Sequence, residues 1–150
     1  MITVQELNNS EDNYNWWLTI MPDTLMSLSL LPNDLRGKLD FSISSLTELE
    51  NYLLKNYTLD SIRDKKNKMA LDVFTRYAGE TFRKNIKNIV WKFQDDPKFI
   101  DYGYPIITKN DNVLFTSLNP ASFVVAALDR QKGDYIFNIL KNIVDDEKIF

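Results

Sequence analysis

The chain has 150 residues, of which 44% are hydrophobic and 13% aromatic, and its formal net charge is −3. This length and composition predict a single folded domain, residues 1–150, with a hydrophobic core that needs no disulfide or metal. The chain contains neither histidine nor cysteine, which excludes a thiol nucleophile, a serine–histidine–aspartate triad, a histidine base and a metal site built on those residues.

The charges are unevenly distributed along the chain. Residues 63–92 contain nine lysines and arginines against three carboxylates, whereas the segments on either side are acidic. We expect the acidic segments to neutralise the basic one in the folded protein, the alternative being a basic face offered to an acidic partner. The aromatic residues of the basic segment lie on its apolar face, so the sequence predicts no binding of nucleic acid.

Targeting signals are not evident in the sequence. The apolar runs are too short to span a bilayer, and acidic residues interrupt the N-terminal region where a signal peptide would need an apolar stretch. The sequence therefore predicts a cytoplasmic protein with no membrane partner.

The N-terminal part is predicted to be helical, with one strand. Thr3 and Glu6 form a capping box that opens a short helical turn. Ser10 is placed to cap a second helix, which should end at Pro22. Residues 38–42 alternate between polar and apolar side chains, and this alternation favours a first strand.

Two helices are predicted in the middle of the chain. Ser45 opens a second capping box, and the leucine-rich helix that follows should end near Asn56. The longest periodic segment, residues 63–88, has seven apolar residues on one broad face and therefore indicates an amphipathic helix. Its charged residues, Asp72 and Arg76 among them, are expected opposite the apolar face or on its flank.

Three further strands are predicted after the long helix, at residues 89–93, 104–108 and 113–118. The polar turn 109–112 should join the last two strands as a hairpin.

The C-terminal part is predicted to form two helices. Asn119 and Pro120 open the first, Gly133 ends it, and Asp134 caps the second. This order of elements is typical of an α+β fold with a small, largely antiparallel sheet of about four strands and helices packed on one face.

Two carboxylates, Asp40 and Glu80, are the candidates for acid–base chemistry. Glu80 follows Gly79, and a glycine inside a helix suggests a close approach of another part of the chain. A carboxylate-dependent hydrolase or lyase would need these two acids to converge. The structural alternative is an ion pair of Glu80 with Arg76 or Lys84, one helical turn away on either side.

The sequence predicts no metal and no cofactor. Asp95, Asp96 and Asp101 form an acidic loop, but the spacing of a calcium-binding loop is absent. The four glycines are scattered, so no glycine-rich loop is available to hold a phosphate.

Aromatic residues beside the acidic loop suggest a contact surface for another protein. Trp16 and Trp17 are adjacent on a predicted helix, so one should enter the core while the other stays partly exposed. With Tyr102 and Tyr104 near the acidic loop, the exposed tryptophan, which we take to be Trp16, would offer amphipathic aromatic surface.

Two motifs resemble those of a known group of proteins. The segment Leu39–Leu46 reads D-F-S-x-x-S-L after its first leucine, and Tyr77–Glu80 reads Y-x-G-E, followed by Trp91 and Pro105 in predicted strands. This combination is similar to small uncharacterised bacterial α+β proteins, some of which resemble immunity proteins of polymorphic toxin systems. The resemblance implies an α+β fold and a protein-binding role, and it brings no catalytic residue.

We therefore expect this chain to bind another protein. The expected partner is a toxin with a basic surface, which this acidic chain neutralises. Asp95, Asp96, Asp101, Tyr102 and Tyr104, together with Trp16, are the expected contact residues. The alternatives are a carboxylate-dependent enzyme that uses Asp40 and Glu80, and a structural subunit of a homo-oligomer.

Overall fold

The computed structural model describes residues 2–28, 31–110 and 115–149. Helices dominate the described chain, and two strands form its sheet. The α-helices are α1 (Glu11–Thr19), α2 (Met21–Ser27), α3 (Asn33–Arg36), α4 (Ser45–Asn56), α5 (Leu59–Arg63), α6 (Lys68–Asn85), α7 (Pro120–Arg130) and α8 (Tyr135–Ile149). Single 3₁₀ turns lie at Val4–Glu6 and Lys65–Asn67, and the strands are β1 (Ile89–Phe93) and β2 (Pro105–Lys109).

The sheet is smaller than the sequence predicts. Strands β1 and β2 pair antiparallel, with Trp91 opposite Ile107, and a single bridge joins Ile107 to Leu118. The α+β class is confirmed, but the described chain has two strands rather than about four. The predicted strand at 113–118 lies partly outside the described residues.

The predicted strand at residues 38–42 is wrong, because this segment is a turn. The Asp40 carboxylate accepts the backbone N–H of Ser42 at 3.0 Å, a local bond that competes with strand pairing. Phe41 has a φ of 62°, in the left-handed region that a strand residue does not occupy. Its ring stacks on Tyr77 with centroids 4.8 Å apart, and this packing holds the unusual backbone conformation.

The first helices divide differently from the prediction. Helix α1 ends at Thr19, before Pro22, and α2 begins at Met21 with Pro22 in its first turn. Proline is tolerated there because the N–H it lacks would have no partner within the helix. Similarly, the predicted long helix 63–88 is interrupted after α5 and resumes as α6 at Lys68.

Helix α6 is the centre of the fold. Every residue from Ala70 to Phe82 is buried, because helices α2, α4, α5, α7 and α8 and strand β1 all pack around it. The prediction of a charged outer face is therefore wrong for Asp72 and Arg76, which are 1% and 0% exposed.

The glycine of α6 permits the closest approach in the core. A Cβ atom at Gly79 would lie 2.1 Å from Cη2 of Trp91, so a side chain there would overlap the indole ring.

Tyr77, two residues before Gly79 in α6, contacts the segment that precedes α4. The Tyr77 hydroxyl accepts the N–H of Phe41 at 2.9 Å and lies 2.7 Å from the hydroxyl of Ser45. The two sequence motifs thus meet in the structure as packing elements.

Within the described ranges, none of the helices combines the length and the apolar character that a membrane span requires.

Candidate functional site

The segment 94–104, which we call the β1–β2 loop, joins the two strands and carries most of the exposed apolar side chains. Six large hydrophobic residues are exposed in the described chain, and four of them lie in this loop: Phe99, Ile100, Tyr102 and Tyr104. Ile100 is 98% exposed and Phe99 is 56% exposed. Exposed apolar side chains that cluster in one place, with polar groups around them, are typical of a protein-binding surface.

Tyr102 and Tyr104 were predicted from the sequence as contact residues, whereas Phe99 and Ile100 were not. Two consecutive large apolar residues usually indicate a strand or a core segment. The sequence feature that could have identified Phe99 and Ile100 as exposed is their position between Pro97 and Gly103, because proline and glycine favour a loop.

Backbone hydrogen bonds join the two ends of the β1–β2 loop. The N–H of Gly103 donates to the carbonyl of Gln94 at 2.8 Å, and the N–H of Gln94 donates to that of Tyr104 at 3.0 Å. Gly103 has a φ of 85°, and a Cβ atom there would lie 2.1 Å from Oδ1 of Asn9. This contact fixes the C-terminal end of the loop against the N-terminal segment of the chain.

The three carboxylates that were predicted as contact residues of the loop differ in whether they have a hydrogen-bond partner. Asp96 accepts the N–H of Lys98 at 3.0 Å, and Asp101 accepts the side-chain amide of Asn119 at 3.1 Å. Asp95 is exposed, and within the described part of the chain it has no hydrogen-bond or ion-pair partner. Asp95 is therefore the carboxylate most available to a partner.

The two neighbouring tryptophans divide between core and surface as predicted. Trp17 is fully buried, whereas Trp16 is 56% exposed. Helix α1, which carries both, packs against the last residue of β1, because Tyr14 stacks on Phe93 with centroids 5.3 Å apart. The structure thus connects the helix of Trp16 with the base of the β1–β2 loop.

Glu80 takes a different partner from the two that its spacing suggests. Its carboxylate accepts the guanidinium of Arg83, one turn along α6. The expected partners are engaged elsewhere. Arg76 is bonded to Asp72 at 2.7 Å, and the ammonium group of Lys84 lies 4.4 Å from the centroid of the Phe41 ring.

Asp40 lies in the turn before α4 and is exposed. Both the hydroxyl and the N–H of Ser42 donate to its carboxylate, and these bonds lower the pKa of Asp40. The hydrogen bonds of Asp40 lead to Ser42 and those of Glu80 to Arg83, and no group of three or more acidic side chains in the described ranges could hold a metal ion. The two acids thus have separate local partners.

A buried ionic network on α6 was not foreseen from the sequence. Asp72 accepts the N–H of Val4 at 2.8 Å, the indole N–H of Trp17 at 2.7 Å and Nε of Arg76 at 2.7 Å. Arg76 in turn donates to the carbonyls of Trp17 and Ile2. Burial raises the pKa of the Asp72 carboxyl, and the guanidinium and the N–H donors oppose that rise. The network fastens the N-terminal segment to the central helix.

In comparisons with protein-family models, with curated proteins and with solved structures, no significant match to this chain was found. Its function therefore has to be argued from its own surface.

Proposed function

We propose that this chain is a non-enzymatic protein-binding protein that neutralises a toxin with a basic surface, in the manner of the immunity proteins of bacterial polymorphic toxin systems. The observation that supports the proposal is the β1–β2 loop, which exposes Phe99 and Ile100 and also carries the exposed carboxylate of Asp95.

The composition of the loop suits the energetics of a protein interface. Large apolar side chains that become buried at the centre of an interface supply most of its affinity. Carboxylates at the rim accelerate association with a basic partner and favour it over acidic ones. The hydrogen bonds of Gly103 and Gln94 join the two ends of the loop before binding, which limits the entropic cost of association.

The enzymatic alternative has less support. It needs Asp40 and Glu80 in one site, and the hydrogen bonds of the two carboxylates lead to Ser42 and Arg83 respectively.

The proposal can be tested with the products of the genes that flank the gene for this chain. The purified chain should bind one of these products directly in calorimetry, and co-expression should protect bacteria from that product. The double substitution Phe99→Ala with Ile100→Ala should weaken the binding by about a hundredfold, since it removes two central apolar side chains.

Met26→Ala is the matched control, because Met26 is an 86% exposed hydrophobic residue outside the loop. We expect this substitution to leave the affinity unchanged. Equal binding by the double variant and the wild type would show that the loop is not the interface, and the absence of any bound or neutralised product would refute the proposal.

A further inference from the structure

Two adjoining cavities form a groove beside the C-terminal end of the β1–β2 loop. Their volumes are about 660 and 470 Å³, and both are lined by Gln5, Arg63 and Tyr104. The larger cavity extends toward Asn9 along the N-terminal segment, and the smaller one extends along α7 as far as Asp129. We call the two together the side groove.

The larger cavity is basic. Arg63, Lys65 and Lys68 contribute to its wall, and Glu6 is its acidic residue. Glu6 is paired with Lys68 at 3.1 Å. Arg63 and Lys65 are exposed, and across the described part of the chain neither has a carboxylate within ion-pair distance. The cavity therefore offers two unpaired cations to a ligand.

The smaller cavity is mainly apolar. Leu59 from α5, Leu71 from α6 and Val125 from α7 line it, and the acidic residue Asp129 lies among its lining residues. Aliphatic walls of this kind bind aliphatic side chains by excluding water. The side groove thus has a cationic part and an aliphatic part that meet at Arg63.

The wall between the groove and the loop is held firmly. Asn8 and Asn9 both have positive φ, of 54° and 55°, a conformation that asparagine tolerates better than most residues. Asn9 fills the space left by the missing side chain of Gly103, and the N–H of Tyr104 donates to the carbonyl of Asp101 at 3.0 Å. This contact and this hydrogen bond fix the position of the groove wall relative to the loop.

We propose that the side groove binds an extended peptide segment of acidic and aliphatic residues. Its carboxylates would pair with Arg63 and Lys65, and its aliphatic side chains would contact Leu59 and Val125. The exposed amide side chain of Gln5, which lines both cavities, is placed to bond the peptide backbone. The inference rests on the proposed function in one respect, since the segment would belong to the partner that the β1–β2 loop contacts.

The lining of the side groove favours a peptide over a small anion. The two cavities have three lining residues in common and extend in different directions, toward Asn9 and toward Asp129. A small anion would use the cations and leave the aliphatic part empty. An extended chain can occupy both parts, with its acidic residues at the cations and its aliphatic residues against Leu59 and Val125.

The test uses a fluorescent peptide of three glutamates followed by three leucines, titrated with the whole chain and followed by anisotropy. We expect saturable binding that weakens about tenfold when glutamine replaces the glutamates, since the charge pairs are then lost. In the protein, Arg63→Gln with Lys65→Gln should weaken binding of the glutamate peptide by a similar factor. Lys55→Gln with Lys132→Gln is the control, because it makes the same charge change at exposed lysines outside the groove.

Three results would overturn the inference: no saturable binding, equal binding of the glutamine peptide, or equal weakening by the control substitutions. None of them depends on Phe99 or Ile100, which do not line the side groove. Conversely, loss of partner binding in the Phe99 and Ile100 double variant concerns the proposed function, and this variant should still bind the peptide. The two proposals can therefore fail separately.

Discussion

At the scale of single residues, Gly79 is a position where packing leaves no room for a side chain. It lies within α6, where alanine would ordinarily stabilise the helix by up to about 1 kcal/mol. The indole of Trp91 occupies the space where a side chain would begin, with 2.1 Å between Cη2 and the expected Cβ position. Helix propensity and packing thus make opposite demands at this residue.

We expect Gly79→Ala to lower the free energy of unfolding by about 1–2 kcal/mol, because overpacking outweighs the gain in helix propensity. The measurement is urea denaturation. Gly37→Ala is the control, since an added Cβ there has no neighbour closer than 3.7 Å. The control should be neutral or slightly stabilising. A stabilised Gly79→Ala protein would mean that Trp91 can move away at little cost.

Glu6 makes the stability of the N-terminal turn depend on pH. The hydroxyl and the N–H of Thr3 donate to its carboxylate at 2.8 and 3.0 Å, and Lys68 lies at 3.1 Å. The Thr3 hydroxyl and Lys68 lower the pKa of Glu6 below its usual value of 4.5. Because the folded state holds the ionised form, this stabilisation is present above about pH 4.5 and is lost as the pH falls below it.

Glu6→Gln should therefore lower the free energy of unfolding at neutral pH by less than about 1 kcal/mol, since the site is partly exposed. The difference from the wild type should shrink in acid, as measured by urea denaturation across that range. A difference that is the same at all pH values would contradict the assignment.

At the scale of the elements, helix α8 is held by a residue far away in sequence. Glu50, buried in α4, accepts the N–H groups of Tyr135 and Ile136 at 3.0 and 2.9 Å. These are among the N–H groups that a helix cannot satisfy itself, and a carboxylate also suits the positive end of the helix dipole. The carboxylate that binds the first turn of α8 is thus Glu50, and the adjacent Asp134 does not take this role.

We expect Glu50→Leu to destabilise the protein by about 1–3 kcal/mol, because it leaves buried N–H groups without partners. The loss should be accompanied by faster hydrogen exchange in α8. Glu48→Ala, which breaks an exposed 3.7 Å pair with Lys38, should cost less than about 1 kcal/mol. Unchanged exchange in α8 would show that Glu50 does not hold the helix.

The elements with local start signals were the ones that the sequence predicted well. Helix α7 begins at Pro120 with Asn119 as its cap, as predicted. Helix α4 spans Ser45–Asn56, close to the predicted bounds, but the predicted capping box is not formed: Ser44 occupies the cap position without a capping bond, and the Ser45 hydroxyl donates to the carbonyl of Ser42. The turn at residues 38–42 was mistaken for a strand because the polar residues that build it also produce an alternating pattern. Similarly, the spacing of Asp72 and Arg76 fits an ion pair on either face of a helix, and only the surrounding elements make that face buried.

The candidate site was predicted only in part, for the same reason. The acidic residues and tyrosines of the β1–β2 loop could be identified from composition, since such residues are usually exposed between strands. The side groove could not, because Arg63 and Tyr104 are brought together by the packing of α5 and the loop against the N-terminal segment.

At the scale of the whole molecule, the distribution of charge differs from the expectation. Among the described residues, a single ion pair, Lys68 with Glu6, joins the basic segment 63–92 to an acidic segment. Arg76 and Arg83 are paired with carboxylates of their own helix. The β1–β2 loop, with its carboxylates, and the side groove, with its cations, are therefore separate surfaces. They meet at Tyr102 and Tyr104, which belong to the loop and line the groove.

This separation predicts how a basic partner would associate. Asp95→Lys should slow association several-fold at low ionic strength, and the effect should fade at about 0.5 M salt, because exposed charges are then screened. Asp146→Lys makes the same change of charge at an exposed, unpaired carboxylate of α8. In stopped-flow measurements with the partner, the Asp146 variant should associate at nearly the wild-type rate. If both variants slow association equally, net charge alone steers the partner, and the carboxylate of the loop has no special part in recognition.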